Sequence, residues 1–168
     1  HLVPTVIFFF RITQNFKLKN FDIKSTINLD YLKLNNFLKL KNNFPNIKDE
    51  IIFENQKIQL NYDKDKMEII GSGNIFLQEE LDIINYKIIN DKKNFVFDAS
   101  LKISKNPFVI SLIGYEKKEK SNLNLNIKGK SNKNYLYFKE ILLSENKNNF
   151  FIKDLKLKNK YKVNDIGN

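Results

Sequence analysis

At 168 residues, 42% hydrophobic and 29% charged, the chain is long enough to bury a core and too apolar to belong with disordered sequences. It has no cysteine and one histidine, His1, which excludes disulfide frameworks, thiolate chemistry, and triads or zinc sites built on histidine. The net charge of +10 is carried almost wholly by lysine, with Arg11 the lone arginine. Lysine is a hydrated point charge without arginine's bidentate fork, so no nucleic acid is expected as a partner. Abundant Lys, Asn, Ile and Phe also match a coding sequence biased towards A and T, which accounts for much of the charge.

In chain order, "HLVPTVIFFF" is a continuous apolar run of about half the roughly 20 residues that span a bilayer. It reads as a buried strand that passes into "RITQNFKL". Residues 29–40, "LDYLKLNNFLKL", fit either a short helix or a hairpin around Asn35-Asn36, and residues 46–51, "NIKDEI", are a second place for a short helix. From there period-two alternation dominates, the mark of half-buried strands. "KIQLNY" sets Ile58, Leu60 and Tyr62 on one side, "DKDK" turns the chain, and "MEIIGSGNIFL" forms the next strand, with Gly71 and Gly73 marking a bulge or bend. "DIINYKII" ends at the turn "NDKKN", and "FVFDASLKI" aligns Phe95, Phe97, Ala99, Leu101 and Ile103. After "SKNP" resets the phase, Phe108, Ile110 and Leu112 continue the apolar face in "FVISLIG". "YEKKEKSN" leads to "LNLNIKG", where Leu123, Leu125 and Ile127 alternate with asparagine, and "YLYFKEILL", "NFFIKDLKL" and "YKV" complete the series.

The expected fold is therefore all-β: an antiparallel meander of about ten strands in one extended, twisted and curved sheet, open as a groove. At roughly 4.8 Å per strand it would be roughly 50 Å long. No composition shift divides the chain, so residues 1–168 are assigned as a single β-rich segment. The chain opens with His1 rather than Met, and an internal segment of a longer protein is expected.

Nothing in the sequence assembles an enzyme site. The carboxylates lie mostly in lysine-rich turns, "DKDK" lacks the spacing and closing Glu of a calcium loop, and "GSG" is followed by neither a helix start nor Lys-Ser/Thr. No catalytic residue, metal ligand or cofactor is assigned. A one-sided sheet must instead cover its apolar face with a second sheet, a helix or a ligand. In the first case the chain is a β-sandwich or interaction module without ligand. In the last, the face is a trough for acyl chains, each buried CH₂ contributing about 0.8 kcal/mol. The trough candidates are Ile58, Leu60, Tyr62, Phe95, Phe97, Leu101, Ile103, Phe108, Ile110, Leu112, Leu123, Leu125 and Ile127.

The pattern over about residues 15–163 resembles the repetitive β-regions of AsmA-like envelope proteins, the YhdP and TamB branches included. It rests on "GSG" after an amphipathic strand, the strand end "LNLNIKG", and "NNFFIKDLKL" late in the chain. The resemblance implies a periplasmic β-groove, anchored to the inner membrane by an N-terminal helix outside this segment. Such a groove carries phospholipids between the inner and outer membranes. It implies no catalytic residues, and membrane contact only through that anchor.

Overall fold

Period-two alternation becomes strand almost everywhere it occurs. The computed structural model describes residues 2–12, 18–35, 41, 44–91, 93–118, 120–158 and 162–165, with side chains described between 22 and 158 except Leu112. The strands are β1 (Leu2–Ile12), β2 (Leu18–Asn35), β3 (Glu50–Asp63), β4 (Lys66–Phe76), β5 (Asp82–Asn90), β6 (Phe95–Ile103), β7 (Val109–Ile110), β8 (Tyr115–Glu116), β9 (Leu123–Ser131), β10 (Tyr135–Glu145), β11 (Asn148–Lys158) and β12 (Lys162–Asp165). Ten of them form one sheet in the order β1-β2-β3-β4-β5-β6-β9-β10-β11-β12. Every pairing is antiparallel, and the order runs from β1 to β12 without closing on itself. The fold is an open all-β meander.

Hairpin chemistry sets the register. Asp63 pairs with Lys66 across the two-residue turn Lys64-Asp65, where Lys64 takes φ 53°. Asn146, also at φ 53°, serves the turn between β10 and β11. In the turn from β5 to β6 the Asp91 carboxylate accepts the amides of Lys93 and Asn94 at 3.1 and 2.7 Å. A side-chain acceptor of this kind satisfies turn amides that the ladder cannot reach.

Four expectations need correction. The β-sandwich alternative has no second layer among the described residues: the other sheet is the two-stranded β7–β8. Neither proposed helix is found there. Residues 29–35 belong to β2, 36–40 lie outside the described residues, and 46–49 form a turn before β3 begins at Glu50. The helix-like spacing of Leu29 and Leu32 has a β explanation. The facing strand carries an irregularity at Asn55 (φ 50°), and Leu29 and Leu32 pair with Gln56 and Phe53, which are equally three residues apart.

The third correction is "FVISLIG", which adds no strand to the large sheet. β6 pairs directly with β9, and residues 104–122 leave the sheet as an excursion holding β7, the 3₁₀ turn Ser111–Ile113 and β8. The pairing of Ile103 with Leu123 closes its base. The fourth is Gly71 and Gly73. The bulge lies on β3, opposite them, and the glycines make room: a Cβ on Gly71 would stand 2.1 Å from Cζ of Tyr86, and one on Gly73 2.4 Å from Nε2 of Gln56. Both side chains lie across β4 where it has none of its own.

The core sits at one margin of the sheet. Ile75, Leu77, Ile103, Leu123 and Leu143, from the strand ends there, are buried with Ile47 and with Phe108 of the excursion. Phe44 packs on Phe108 with ring centroids 5.7 Å apart. The chain segments around 44–49 and 104–122 thus cap the apolar face at that margin.

Gly71→Ala should destabilise the fold by about 1–3 kcal/mol through overpacking against Tyr86. In a double-mutant cycle with Tyr86→Ala, measured by urea denaturation, the alanine at 71 should cost less once the ring is gone; additive effects would refute the contact.

Candidate functional site

Residues paired across neighbouring strands point to the same side, so the register assigns each side chain to a face. Five rows result on the apolar face, stepping away from the cap. The first holds Ile75, Ile103 and Leu123; the second Ile84, Leu101, Leu125, Leu143 and Phe150. The third runs Ile27, Ile58, Gly71, Tyr86, Ala99, Ile127, Ile141, Ile152, and the fourth Leu60, Ile69, Ile88, Phe97, Gly129, Phe138, Leu155. The far margin carries Ile23, Tyr62, Met67, Phe95, Leu136 and Leu157 among Asn90 and Ser131.

Ten of the thirteen sequence candidates meet on this face. Ile58, Leu60, Tyr62, Phe97, Leu101, Leu125 and Ile127 are half-buried, Phe95 is 40% exposed, and Ile103 and Leu123 are completely buried under the cap. Phe108 and Ile110 are on the excursion and pack towards the core from above, so they are part of the cover rather than of the floor. Leu112 is in the 3₁₀ turn, and its side chain lies outside the described residues. Sequence reasoning left out Ile84, Tyr86 and Ile88 of "DIINYKII", and Phe138 and Ile141 of "YLYFKEILL". The first three had the same period-two phase to reveal them. The last two are hidden by the register shift between Phe138 and Glu140.

A hollow of about 320 Å³ lies on the apolar face, bounded by side chains of β2, β3 and β5, with Tyr86 and Gln56 lying over the glycines of β4 beneath it. β2 and β5 stand three strand spacings apart, about 14 Å in a flat sheet. Both border one hollow because the intervening strand contributes so little bulk. A larger depression, about 540 Å³, lies on the opposite face among Asn28, Lys57, Gln59, Asn85, Lys87 and Ser100. A twisted sheet is saddle-shaped and can be hollow on both faces. The hollow on the apolar face is surrounded by hydrocarbon except at Gln56 and Tyr86; the other mixes Lys, Asn, Gln and Ser side chains with Ile58 and Ile70.

The polar face carries Lys57, Lys87, Lys102, Lys128 and Lys153 among Asn, Gln and Ser. Lys87 pairs with Glu68 at 2.6 Å and Lys128 with Glu140 at 3.6 Å. Lys130, Lys153 and Lys156 lie over the rings of Tyr137, Phe151 and Tyr135 at 5.6, 4.8 and 4.8 Å. Glu79 and Glu80 are in a connecting segment and pair with Lys48 and Lys105.

Two carboxylates hold the cap, and both occupy positions in phase with the apolar rows. Glu145, opposite Leu123, is buried and accepts hydrogen bonds from the Ser121 hydroxyl, the Lys118 amide (2.7 Å) and the Tyr115 hydroxyl (3.0 Å). The hydrogen bond from Ser121, reinforced by the other two, holds the Glu145 carboxyl below its ordinary value although burial opposes this. Burial pushes the Tyr115 hydroxyl well up, and Glu145 beside it helps keep its proton. Asp82, opposite Ile75, accepts from Asn106 Nδ2 at 2.8 Å. The same Asn106 spans the Glu80 backbone, donating to its carbonyl at 2.6 Å and accepting its amide at 3.0 Å. Here burial dominates and pushes the Asp82 carboxyl up, partly offset by Asn106, the Ser104 amide and Lys117. Gln78 donates to the Pro107 carbonyl and completes the seam.

Among the described residues no group of three or more His, Cys, Asp or Glu side chains is placed to hold a metal ion, and no helix is long and apolar enough to cross a membrane. The chain matches no known protein family, no characterised protein and no solved structure.

The two carboxylates have opposite linkage to pH. Stability from Glu145 is fully present above the unfolded value near 4.3 and is lost as pH falls through its lower folded value; for Asp82, stability falls as pH rises from about 3.9 through its raised folded value. Glu145→Gln should cost about 1.5–3 kcal/mol at pH 7. That cost should shrink progressively as pH falls below about 4.3, read by urea denaturation at pH 7 and at a series of lower pH values, with hydrogen exchange of the described cap amides between 115 and 121 reporting the cap directly. A cost independent of pH would show that the carboxylate is not what holds the excursion down.

Proposed function

We propose that the apolar face binds the acyl chains of lipids. The observation that carries this reading is the cover: one margin of the face is sealed by the cap, which also buries Leu143 of the second row, while most side chains of the other four rows stay half-exposed with no second layer over them among the described residues. Large contiguous apolar surface of this kind marks an interaction site.

The dimensions suit a membrane lipid. From the second row to the far margin is three steps of two residues, about 20 Å, and a leaflet's hydrocarbon is about 15 Å deep, half of the roughly 30 Å bilayer core. A tail laid along a strand fits between cap and margin. A dozen half-covered methylenes would contribute about 5 kcal/mol before the cost of immobilisation. On the polar face, ammonium groups lie over three aromatic rings, which leaves those ring faces poorly placed to stack on bases and favours lipid over nucleic acid.

With the resemblance to AsmA-like proteins, the cargo we propose is phospholipid. The chain would then act as a segment of a periplasmic groove, anchored to the inner membrane in the full-length protein and passing lipid between the two membranes of a cell envelope. Binding here uses no catalytic residue and no cofactor.

Native mass spectrometry of the chain, secreted to a bacterial periplasm and purified gently, tests the reading. Phospholipid should accompany the wild type and be reduced at least tenfold in Phe97→Asp and Ile127→Asp. Ser100→Asp, on the opposite face, should retain it. Absence of lipid from folded wild type, even after incubation with phospholipid, would leave a structural β-module without ligand.

A further inference from the structure

The hollow above Gly71 and Gly73, where Tyr86 and Gln56 lie across β4, is not uniformly apolar. Of the nine residues around it, only Gln56 and Tyr86 have polar side chains. Gln56 is held by the fold through its nitrogen: it is buried, and its Nε2 donates to the carbonyls of Glu54 (3.2 Å) and Asn74 (2.7 Å), which fixes the amide across the β3 bulge. Its Oε1, buried without a partner among the described residues, can only accept, not donate. Tyr86 is not committed. Its ring lies flat over Gly71, in the space that a Cβ there would fill, and its hydroxyl reaches across β4 on the apolar side. Among the described residues nothing hydrogen-bonds to that hydroxyl. It is a phenol donor set within hydrocarbon, held by a glycine that no other side chain could replace without moving the ring.

Its depth is also informative. Tyr86 lies in the third row, about 7 Å along the strands from the first row outside the cap and about 13 Å from the far margin. A carbonyl level with Tyr86 therefore leaves about 13 Å of open face for its chain, close to the depth of one leaflet's hydrocarbon, about 15 Å. A pocket that is mostly apolar with one placed polar group is the usual means of fixing where a ligand stops.

We infer that Tyr86 is the polar anchor of the apolar face, its hydroxyl donating a hydrogen bond to an acyl carbonyl oxygen, either the ester of a phospholipid or the carboxylate of a free fatty acid. Burial pushes the Tyr86 hydroxyl up, which keeps it a donor at neutral and mildly alkaline pH. Tail length and the presence of a carbonyl, rather than headgroup chemistry, then select the ligand at this position. The inference rests on the face being lipid-binding, as proposed above.

The test is Tyr86→Phe, which keeps the ring over Gly71 and removes one oxygen. Wild type and variant are titrated by native mass spectrometry with palmitate, with 1-palmitoyl-lysophosphatidylcholine, and with its 1-O-hexadecyl ether analogue, which lacks the carbonyl. The variant should bind a carbonyl-bearing ligand about five- to tenfold more weakly and the ether equally well. Loss confined to the lysophospholipid assigns the ester as partner, loss confined to palmitate the carboxylate, and loss of both assigns either. Equal binding of all three ligands by the two proteins overturns the anchor while leaving the lipid-binding face intact. An equal loss of the ether overturns it too, since the ring rather than the hydroxyl would then matter. Failure of the wild type to bind any of the three defeats the lipid-binding reading itself, and the anchor with it.

Discussion

Cross-strand register is the constraint on which everything else in this structure depends. A strand alternates its side chains with period two, so pairing two strands one residue out of step would move every isoleucine of one of them to the polar face. Four of the turns fix their register with local chemistry: a left-handed Lys64, a left-handed Asn146, or a side-chain oxygen of Asp91 or Asn132 that collects two turn amides. The result is that a row such as Ile27, Ile58, Tyr86, Ile127, Ile141 and Ile152 runs across eight strands without a charge. The amphipathic face is produced collectively; no single strand is apolar enough to make it.

The capped margin shows what such a face needs to become a closed core. Hydrophobic cover alone, from Phe108, Ile47 and Phe44, would be held by non-directional contacts and could slide. Asp82 and Glu145 supply direction. Both place a carboxylate in the first apolar row, where an unpaired charge would be costly. The excursion meets Glu145 with a hydroxyl pair and a backbone amide, and one oxygen of Asp82 with an asparagine amide, its Oδ1 staying unpaired among the described residues. Because the same groups are penalised if the cap lifts into anything drier than water, the closed margin is specific to one arrangement of residues 104–122. The polar seam therefore limits how far the core extends, and the face beyond it is left open.

Much of this was legible in the sequence. The strand series, the turns at "DKDK" and "NDKKN", and the shared face of Ile58, Leu60, Phe97, Leu101, Leu125 and Ile127 all follow from period two. The excursion was not, because "FVISLIG" alternates as well as its neighbours do. What decides against it is non-local: Leu123–Ser131 offers β6 a nine-residue partner that pairs along its full length, which alternation within one segment cannot weigh. Two signals went unused. Asp82 and Glu145 keep the apolar phase of Ile84 and Leu143, and a charge at such a position is evidence for something folding over it. The glycines of "GSG" keep that phase too, and a missing side chain in an apolar row invites a large neighbour to lie across it.

That last point bears on where along the face a ligand would sit. Between β6 and β10 the rows are filled: Phe97 lies against Phe138 edge-on, with centroids 5.8 Å apart, and also covers Gly129. Between β2 and β5 the floor drops, because Tyr86 and Gln56 lie flat where β4 has only backbone. A flexible hydrocarbon gains most where it can touch walls as well as floor, since each contact is weak and only their number is large. The side over the β4 glycines is thus the better seat, and the aromatic side is a raised shoulder. A face patterned evenly by period two acquires a preferred binding position because one strand leaves out two side chains.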